Sequence, residues 1–440
     1  MQRFKYRPKK ELKITILCIV FFSISAFVLL TQFKDKVSAV SIETSQDQIL
    51  RFGITLPYLT GDYVELVKQI NAKAVLDWRT DDINEWVDNN IDYIHVIRVS
   101  DAAYDNGAVL DKISVWVTDN PGEVWIIGNE PDRYYYQDSV TPEVYAQRYY
   151  EIALRIRHFD SDAQIGFGSV VQPTPIRIRY LEKALNHLTY LSCGNRQAAL
   201  DLIDIWSIHS FILNEHPNQW GAGVPVGFEN DWSDAIQITD YSNTYSSDIF
   251  IQRLKYFRNW MKTIGEEDKP LWVTEYGSLF PEWEVLCKFY LYYDCNYPLY
   301  GWPSENETIK FLEDTFNLML VETDISTGFS EDRNKLVQRW FWYSLDDIRY
   351  EIRVNEDGTT TTYGFGGTLF DPDDQFHQTV VGEAFESYTN QILTNLPSAE
   401  SPVLFRQTAT TFSVYFDQSS GTYNYPYEIC YCIQLPLVFK

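Results

Sequence analysis

From residue 49 onward the chain alternates short, nearly unbroken apolar runs with longer segments whose apolar residues recur every three or four positions. A run of four to seven apolar residues is too short for a helix and, lacking a polar face, suits a strand covered on both sides. Eight such runs occur: Arg51–Leu56, Ala74–Trp78, Tyr93–Val99, Val124–Gly128, Gln164–Phe167, Leu202–Ile208, Pro270–Thr274 and Arg339–Tyr343. The segments between them carry helix signals. Thr141-Pro142-Glu143 supplies an N-cap, a proline at the first helical position and an acid in the first turn. Ser304 and Glu307 have capping-box spacing ahead of the stripe Ile309, Leu312, Phe316 and Met319. Ile251, Leu254, Phe257 and Met261 form another stripe, ended by Gly265. Strands alternating with helices predict an α/β fold, a (β/α)8 TIM barrel with long βα-loop insertions. A doubly wound sheet is the alternative, but no glycine-rich phosphate turn follows the first strand. A hairpin around Asp357-Gly358, made of Ile352–Val354 and Thr360–Tyr363, decorates the eighth βα loop.

The N-terminus breaks this rhythm. Residues 1–13 hold six basic residues against one acid, Glu11, and Ile14–Leu30 is apolar except for Thr15, Ser23 and Ser25. The barrel is therefore expected to follow one N-terminal membrane-spanning or signal segment. It is either a retained anchor over 14–30, whose basic flank of 1–13 stays in the cytoplasm, or a signal peptide cleaved after Val37-Ser38-Ala39. Both place the remainder outside the cytoplasm. Residues 31–48 read as a polar linker, 49–395 as the catalytic domain and 396–440 as a β-like tail containing the strand-like run Thr411–Phe416.

Composition narrows the partners. A net charge of −25 excludes a nucleic-acid partner, which needs a basic surface. Aromatic residues make up 16% of the chain, an excess that suits flat faces on which sugar rings stack. Cys287 and Cys295 lie close together in one loop and can form a disulfide, whereas Cys193, Cys430 and Cys432 show no obvious pairing. Zinc-ligand spacing, H-E-x-x-H, G-x-S-x-G and Walker-type loops are all missing from the sequence, so no metal and no cofactor is expected.

Catalytic groups of a barrel sit at the C-terminal ends of its strands. The fourth run ends in Asn129-Glu130-Pro131 and the seventh in Glu275-Tyr276-Gly277. Strands four and seven face each other across a barrel, so two carboxyl groups meet over its mouth, as cleavage of a glycosidic bond requires. Asn129 is placed to hydrogen-bond a sugar hydroxyl, and Gly128 leaves room for close approach. Trp78 and Arg79 end the second run. They either touch a sugar and a catalytic carboxylate, or serve packing and a salt bridge.

Asn129-Glu130-Pro131 and Thr274-Glu275-Tyr276-Gly277 resemble the strand-four and strand-seven signatures of clan A glycoside hydrolases, which are retaining TIM-barrel enzymes. The resemblance implies that Glu130 is the acid/base and Glu275 the nucleophile, and that Tyr276 lies at the sugar. Ile205-Trp206-Ser207-Ile208-His209-Ser210-Phe211 is similar to the clan's strand-six motif, which puts His209 near the nucleophile, although the clan often has Tyr or Trp where this chain has Ser210 and Phe211. Trp340-Phe341-Trp342-Tyr343 resembles strand eight, where a tryptophan floors the sugar site. That role falls to Trp342, with Trp340 the second choice. Gly382-Glu383-Ala384-Phe385 resembles the closing helix. The likeness spans roughly Arg51 to Leu393 and is nearest to endo-β-1,3-glucanase-like and xylosidase-like members.

The loop after Glu275 is rich in aromatics, Trp283 among them, and is expected to wall the cleft; Tyr134 adds a further platform beside Glu130. The function expected is retaining hydrolysis of a β-linked poly- or oligosaccharide, with carbohydrate as the partner. The mutual repulsion of the two carboxyls should raise the pKa of Glu130, keeping it protonated as the acid. The alternatives are a non-catalytic carbohydrate-binding or surface-assembly protein on the same barrel, and a transglycosylase using the same residues.

Overall fold

The computed structural model describes residues 43–57, 63–79, 84–104, 108–134, 137–219, 221–280, 302–349, 351–354 and 360–394. Eight parallel strands close into a barrel in chain order. They are β1 (Phe52–Thr55), β2 (Ala74–Asp77), β3 (Asp92–Ile97), β4 (Val124–Ile127), β5 (Gln164–Val170), β6 (Ile205–His209), β7 (Leu271–Tyr276) and β8 (Arg339–Trp342). The closure pairs Phe52 with Trp340 and Ile54 with Trp342. Each apolar run of the sequence contains or overlaps one strand, with ends moved by up to three residues. Leu202 and Ile203, for example, are buried before β6 begins, so their burial reflects the turn that feeds the strand.

Alternation along the strands separates two cores. Ala74, Leu76, Ile94, Val96, Ile126, Ile205, Trp272 and Phe341 fill the barrel interior. The opposite faces, among them Phe52, Tyr93, Trp125, Phe167, Trp206, Trp340 and Trp342, pack under the surrounding helices. The interior is crowded on one side by the Phe341 ring. Gly53 on the neighbouring strand makes room for it, since a Cβ there would lie 2.4 Å from the ring.

The helix ends follow their sequence signals. Pro142–Phe159 starts at Thr141, whose side chain accepts from the Val144 N–H, with the proline inside the first turn. Glu305–Val321 begins with the Ser304–Glu307 capping box, and Ser247–Thr263 buries Ile251, Leu254, Phe257 and Met261 before the left-handed Gly265. Val380–Thr394 closes the barrel, its Phe385 meeting Phe52 and Phe316 edge to face.

The expected linker is corrected at its end: 45–49 is a short helix, because Thr44 and Asp47 form a capping box and Ile49 is buried. The hairpin over Glu351–Val354 and Thr360–Tyr363 is antiparallel, pairing Val354 with Thr360. Among the described residues no helix is long and apolar enough to cross a membrane. The apolar segment 14–30, the Cys287–Cys295 pair, Trp283 and the tail 396–440 lie outside the described residues. Cys193, for which the sequence offered no partner, is disulfide-bonded.

The crowded interior gives a test. Gly53→Val should destabilise the protein by about 1–3 kcal/mol, the usual cost of overpacking a filled core. Phe341→Leu in the same chain should recover part of that loss. Denaturant midpoints of the single and double variants check both statements.

Candidate active site

The β4 end is built to aim one carboxyl. Gly128 adopts φ +94, and a Cβ there would also sit 2.8 Å from the Tyr145 ring. Glu130 itself lies in the left-handed region at φ 42. Two anchors hold this unfavourable path. The Glu130 N–H donates to the Ser169 carbonyl at 3.0 Å, and the buried Asp138 carboxylate accepts from the Asn129 N–H at 2.7 Å and the Val99 N–H at 3.0 Å. Arg98 pairs with the same carboxylate.

The β7 end uses a different device. Leu271 and Val273 face the helices, so strict alternation would turn Glu275 outward and Tyr276 inward. The strand instead carries extra length: Val273 and Tyr276 pair with Trp340 and Trp342, and Ile208 and His209 pair with Val273 and Glu275. This β-bulge reverses the parity. Glu275 enters the mouth and Tyr276 goes to the helix side.

The two carboxyls meet across His209. Its Nδ1 lies 3.1 Å from Glu130 Oε1, and its Nε2 lies 3.4 Å from Glu275 Oε1. Ligand atoms of the three residues all lie within 4.8 Å of one another. Glu130 is 1% exposed and Glu275 4%. A fourth group, Arg133, places Nη1 3.0 Å from Glu130 Oε2. Among the described residues this trio is where a metal's donors come together. A cation is already supplied there by the Arg133 guanidinium.

The surroundings of the two carboxyls are unequal. Burial raises the Glu130 pKa, but Arg133 and the His209 hydrogen bond outweigh it and hold the group at about 2. Burial pushes Glu275 up to about 7, with Glu130 adding to the rise and His209 opposing it. The expected rise on Glu130 is therefore corrected: its guanidinium partner and His209 reverse the direction. Burial lowers the His209 pKa, yet the two glutamates raise it overall. Asp132, pushed by burial to about 6, faces Glu130 from the same turn.

Solved structures similar to this chain include glycoside hydrolases. One is a GH128 (subgroup I) endo-β-1,3-glucanase from Amycolatopsis mediterranei in complex with laminarihexaose. It is 13% identical, with 77% of this chain and 99% of that one covered and a TM-score of 0.45. A monomeric β-xylosidase from Caulobacter crescentus is 14% identical over 78% of this chain and 68% of its own, with a TM-score of 0.47. The GH39 enzyme from Xanthomonas axonopodis pv. citri is 11% identical over 78% and 67%, with a TM-score of 0.49. No family model and no curated protein matches.

The structure brings Glu130, Glu275, His209 and Asn129 together and sends others away. Trp342 is corrected from floor to core. It is fully buried on the helix side, donating from its indole nitrogen to the Gly367 carbonyl, and Trp340 is buried likewise. Alternation from the inward Phe341 puts Tyr343 at the mouth, where its ring meets Phe211 and Phe365 and its hydroxyl bonds Asp347. Tyr276 is corrected too: the bulge turns its ring under Phe250 and Trp342, away from any sugar. Arg79 pairs with Asp77 at 2.7 Å instead of with a catalytic carboxylate. Trp78 donates to the Asn129 side-chain oxygen at 2.8 Å, and Gln137 accepts from the same amide at 2.7 Å. Asn129 is thus fixed by protein partners on both ends of its amide. The Tyr134 hydroxyl is bonded to Glu229, tying the β4 loop to the β6 loop. His95 is buried against the Trp125 ring, and burial depresses it to about 3, which fits a packing role.

Sequence reasoning missed Arg133 and Asp138. Arg133 follows Glu130 by three residues within one turn, and that spacing was the available signal. Nothing local marks Asp138, whose partners come from two strands.

The raised Glu275 gives a signed prediction. The folded chain keeps its proton up to about pH 7, whereas an unfolded glutamate releases it near about 4.3. Between those values the native state binds more protons, so this group makes stability fall as pH rises. Thermal midpoints should show that decline in the wild type and a flatter profile in Glu275→Gln. Superimposable profiles would rule the linkage out.

Proposed function

We propose that the chain is a retaining glycoside hydrolase that cleaves a β-linked poly- or oligosaccharide by double displacement, with Glu130 as acid/base and Glu275 as nucleophile. One observation carries this: two buried carboxyls from the ends of β4 and β7 bring oxygens within 4.8 Å of each other on either side of one imidazole. Retaining enzymes need carboxyl groups about 5–5.5 Å apart, whereas inverting ones leave room for a water at about 6.5–9.5 Å. In the first step Glu275 attacks the anomeric carbon while Glu130 protonates the leaving oxygen. In the second, Glu130 takes a proton from water, which displaces Glu275. His209 orients both carboxyls throughout. A purely binding barrel has no need of two buried, coupled acids, whose ionisation is costly. The bound oligosaccharide of the GH128 neighbour agrees with a carbohydrate substrate.

An extracytoplasmic location is part of the reading. The basic and apolar segments 1–13 and 14–30 support it, and so does the disulfide at Cys193, since such bonds persist in oxidising compartments. Hydrolysis and transglycosylation share these residues, and product analysis on defined β-glucans, xylans and mannans separates them.

The two roles are separable with the purified chain. Glu275→Ala should lose turnover on every substrate, and azide should restore reaction with an inverted glycosyl azide. Glu130→Ala should keep the first step for dinitrophenyl glycosides, whose leaving group needs no proton, and azide should then give a retained product. Wild-type rates in both variants would remove the assignment. An inverted product from the wild type would remove the mechanism.

A further inference from the structure

Two ion pairs at the barrel mouth point the same way. Arg98 follows β3, where it continues the inward row of Ile94 and Val96, so its side chain leaves on the cleft side. Arg133 follows β4, its Nη1 3.0 Å from Glu130 Oε2. Each guanidinium has its carboxylate behind it. The Arg98 side chain is 30% exposed against 0% for Asp138, and that of Arg133 is 26% exposed against 1% for Glu130. Both pairs therefore bury their negative end and open their positive end. Both guanidiniums also lie close enough to Glu275 to act on its charge. Asp132, one residue before Arg133, does not offset them, because it is buried and paired with Arg177 at 2.9 Å.

Holding the strand ends does not require these cations. Asp138 already ties β3 to β4 by accepting from the Val99 and Asn129 N–H groups, and the Glu130 N–H is anchored on the Ser169 carbonyl. The chain as a whole is acidic, with 61 Asp and Glu against 36 Lys and Arg. Distant charges are screened beyond about 8–10 Å at physiological ionic strength, so the local pairs set what a ligand meets at the mouth.

We propose that the glycan accepted here carries an anionic group, a uronate carboxylate or a sulfate ester, on a sugar beside the cleaved bond, and that Arg98 and Arg133 bind it. This rests on the glycosidase reading given above. In that reading the leaving oxygen lies against Glu130. Arg133 is bonded to the same carboxyl, so the anion belongs to one of the two sugars that share the cleaved bond. A guanidinium presents its donors in a planar fork, which matches two oxygens of a carboxylate or sulfate. A neutral hydroxyl takes a bond of about half the strength.

The test uses the purified full chain on matched substrates. β-1,3-Glucan, β-1,4-glucan and β-mannan are each supplied neutral, oxidised at C6 to the uronate, and sulfated at C6. On at least one backbone kcat/KM should favour an anionic form over the neutral one by about 10- to 100-fold, the usual effect of a charge-assisted bond. Preference for the uronate form identifies a carboxylate, and preference for the sulfated form a sulfate. Arg98→Gln and Arg133→Gln should each reduce that ratio, and the double variant should abolish it. Merely structural damage slows both members of a pair alike and leaves the ratio unchanged. If the variants do not fold, salt serves: added sodium chloride should lower wild-type kcat/KM on the anionic form and spare the neutral one. Equal or faster wild-type cleavage of every neutral form overturns the proposal, and so does a full anionic preference in the double variant. If the wild type cleaves none of them, the glycosidase reading falls, and calorimetric binding of the same forms decides the rest. Tighter binding of an anionic form that the double variant loses supports the two arginines; equal binding, or none, overturns them.

Discussion

Two carboxyl groups buried within 4.8 Å of each other cannot both ionise unaided, and much of the barrel mouth is arranged around that constraint. An imidazole spans the gap, a guanidinium compensates one partner, and burial raises the pKa of the other. Each solution is directional. Together they give two chemically identical side chains different electrostatic surroundings in the same cavity.

Such a site needs a stiff surround. Behind Glu130, Arg177 pairs with Asp132 and lies 3.3 Å from Glu215, all three without solvent exposure. Gln172 donates to Glu215 at 2.8 Å and accepts from the Leu213 N–H, while Arg253 reaches Gln172 and the Phe211 carbonyl. These bonds join the segments that follow β4, β5 and β6. Buried ion pairs of this kind contribute little net stability, because desolvation offsets attraction, but loss of one member leaves an uncompensated charge. Their effect here is to fix three loops relative to one another, and with them the path that presents Glu130 and His209.

Eight strand runs, several helix caps and the two strand-end glutamates were legible because they depend on local pattern. Thr141, Ser304 and the Ile251 stripe are written within one or two helical turns. Trp342 and Tyr276 misled for a shared reason. Both stand beside motifs that mark the cleft, but the face a strand residue takes depends on the parity of the whole strand. Phe341 inside the barrel commits Trp342 to the helix side, and one extra residue in β7 does the same to Tyr276. Arg79 was drawn away by Asp77, two residues before it.

The sequence by itself determined the alternation that makes a barrel and the placing of Glu130 and Glu275 at the ends of facing strands, since apolar periodicity and strand order are properties of the chain. How differently the two glutamates are surrounded was decided by the tertiary structure alone. That outcome turns on Arg133 lying 3.0 Å from one carboxyl and not the other, on His209 reaching both, and on a bulge that turns Glu275 inward. Electrostatic energy in a buried site depends on distances of a few ångströms between residues remote in the chain, and no local pattern encodes those distances.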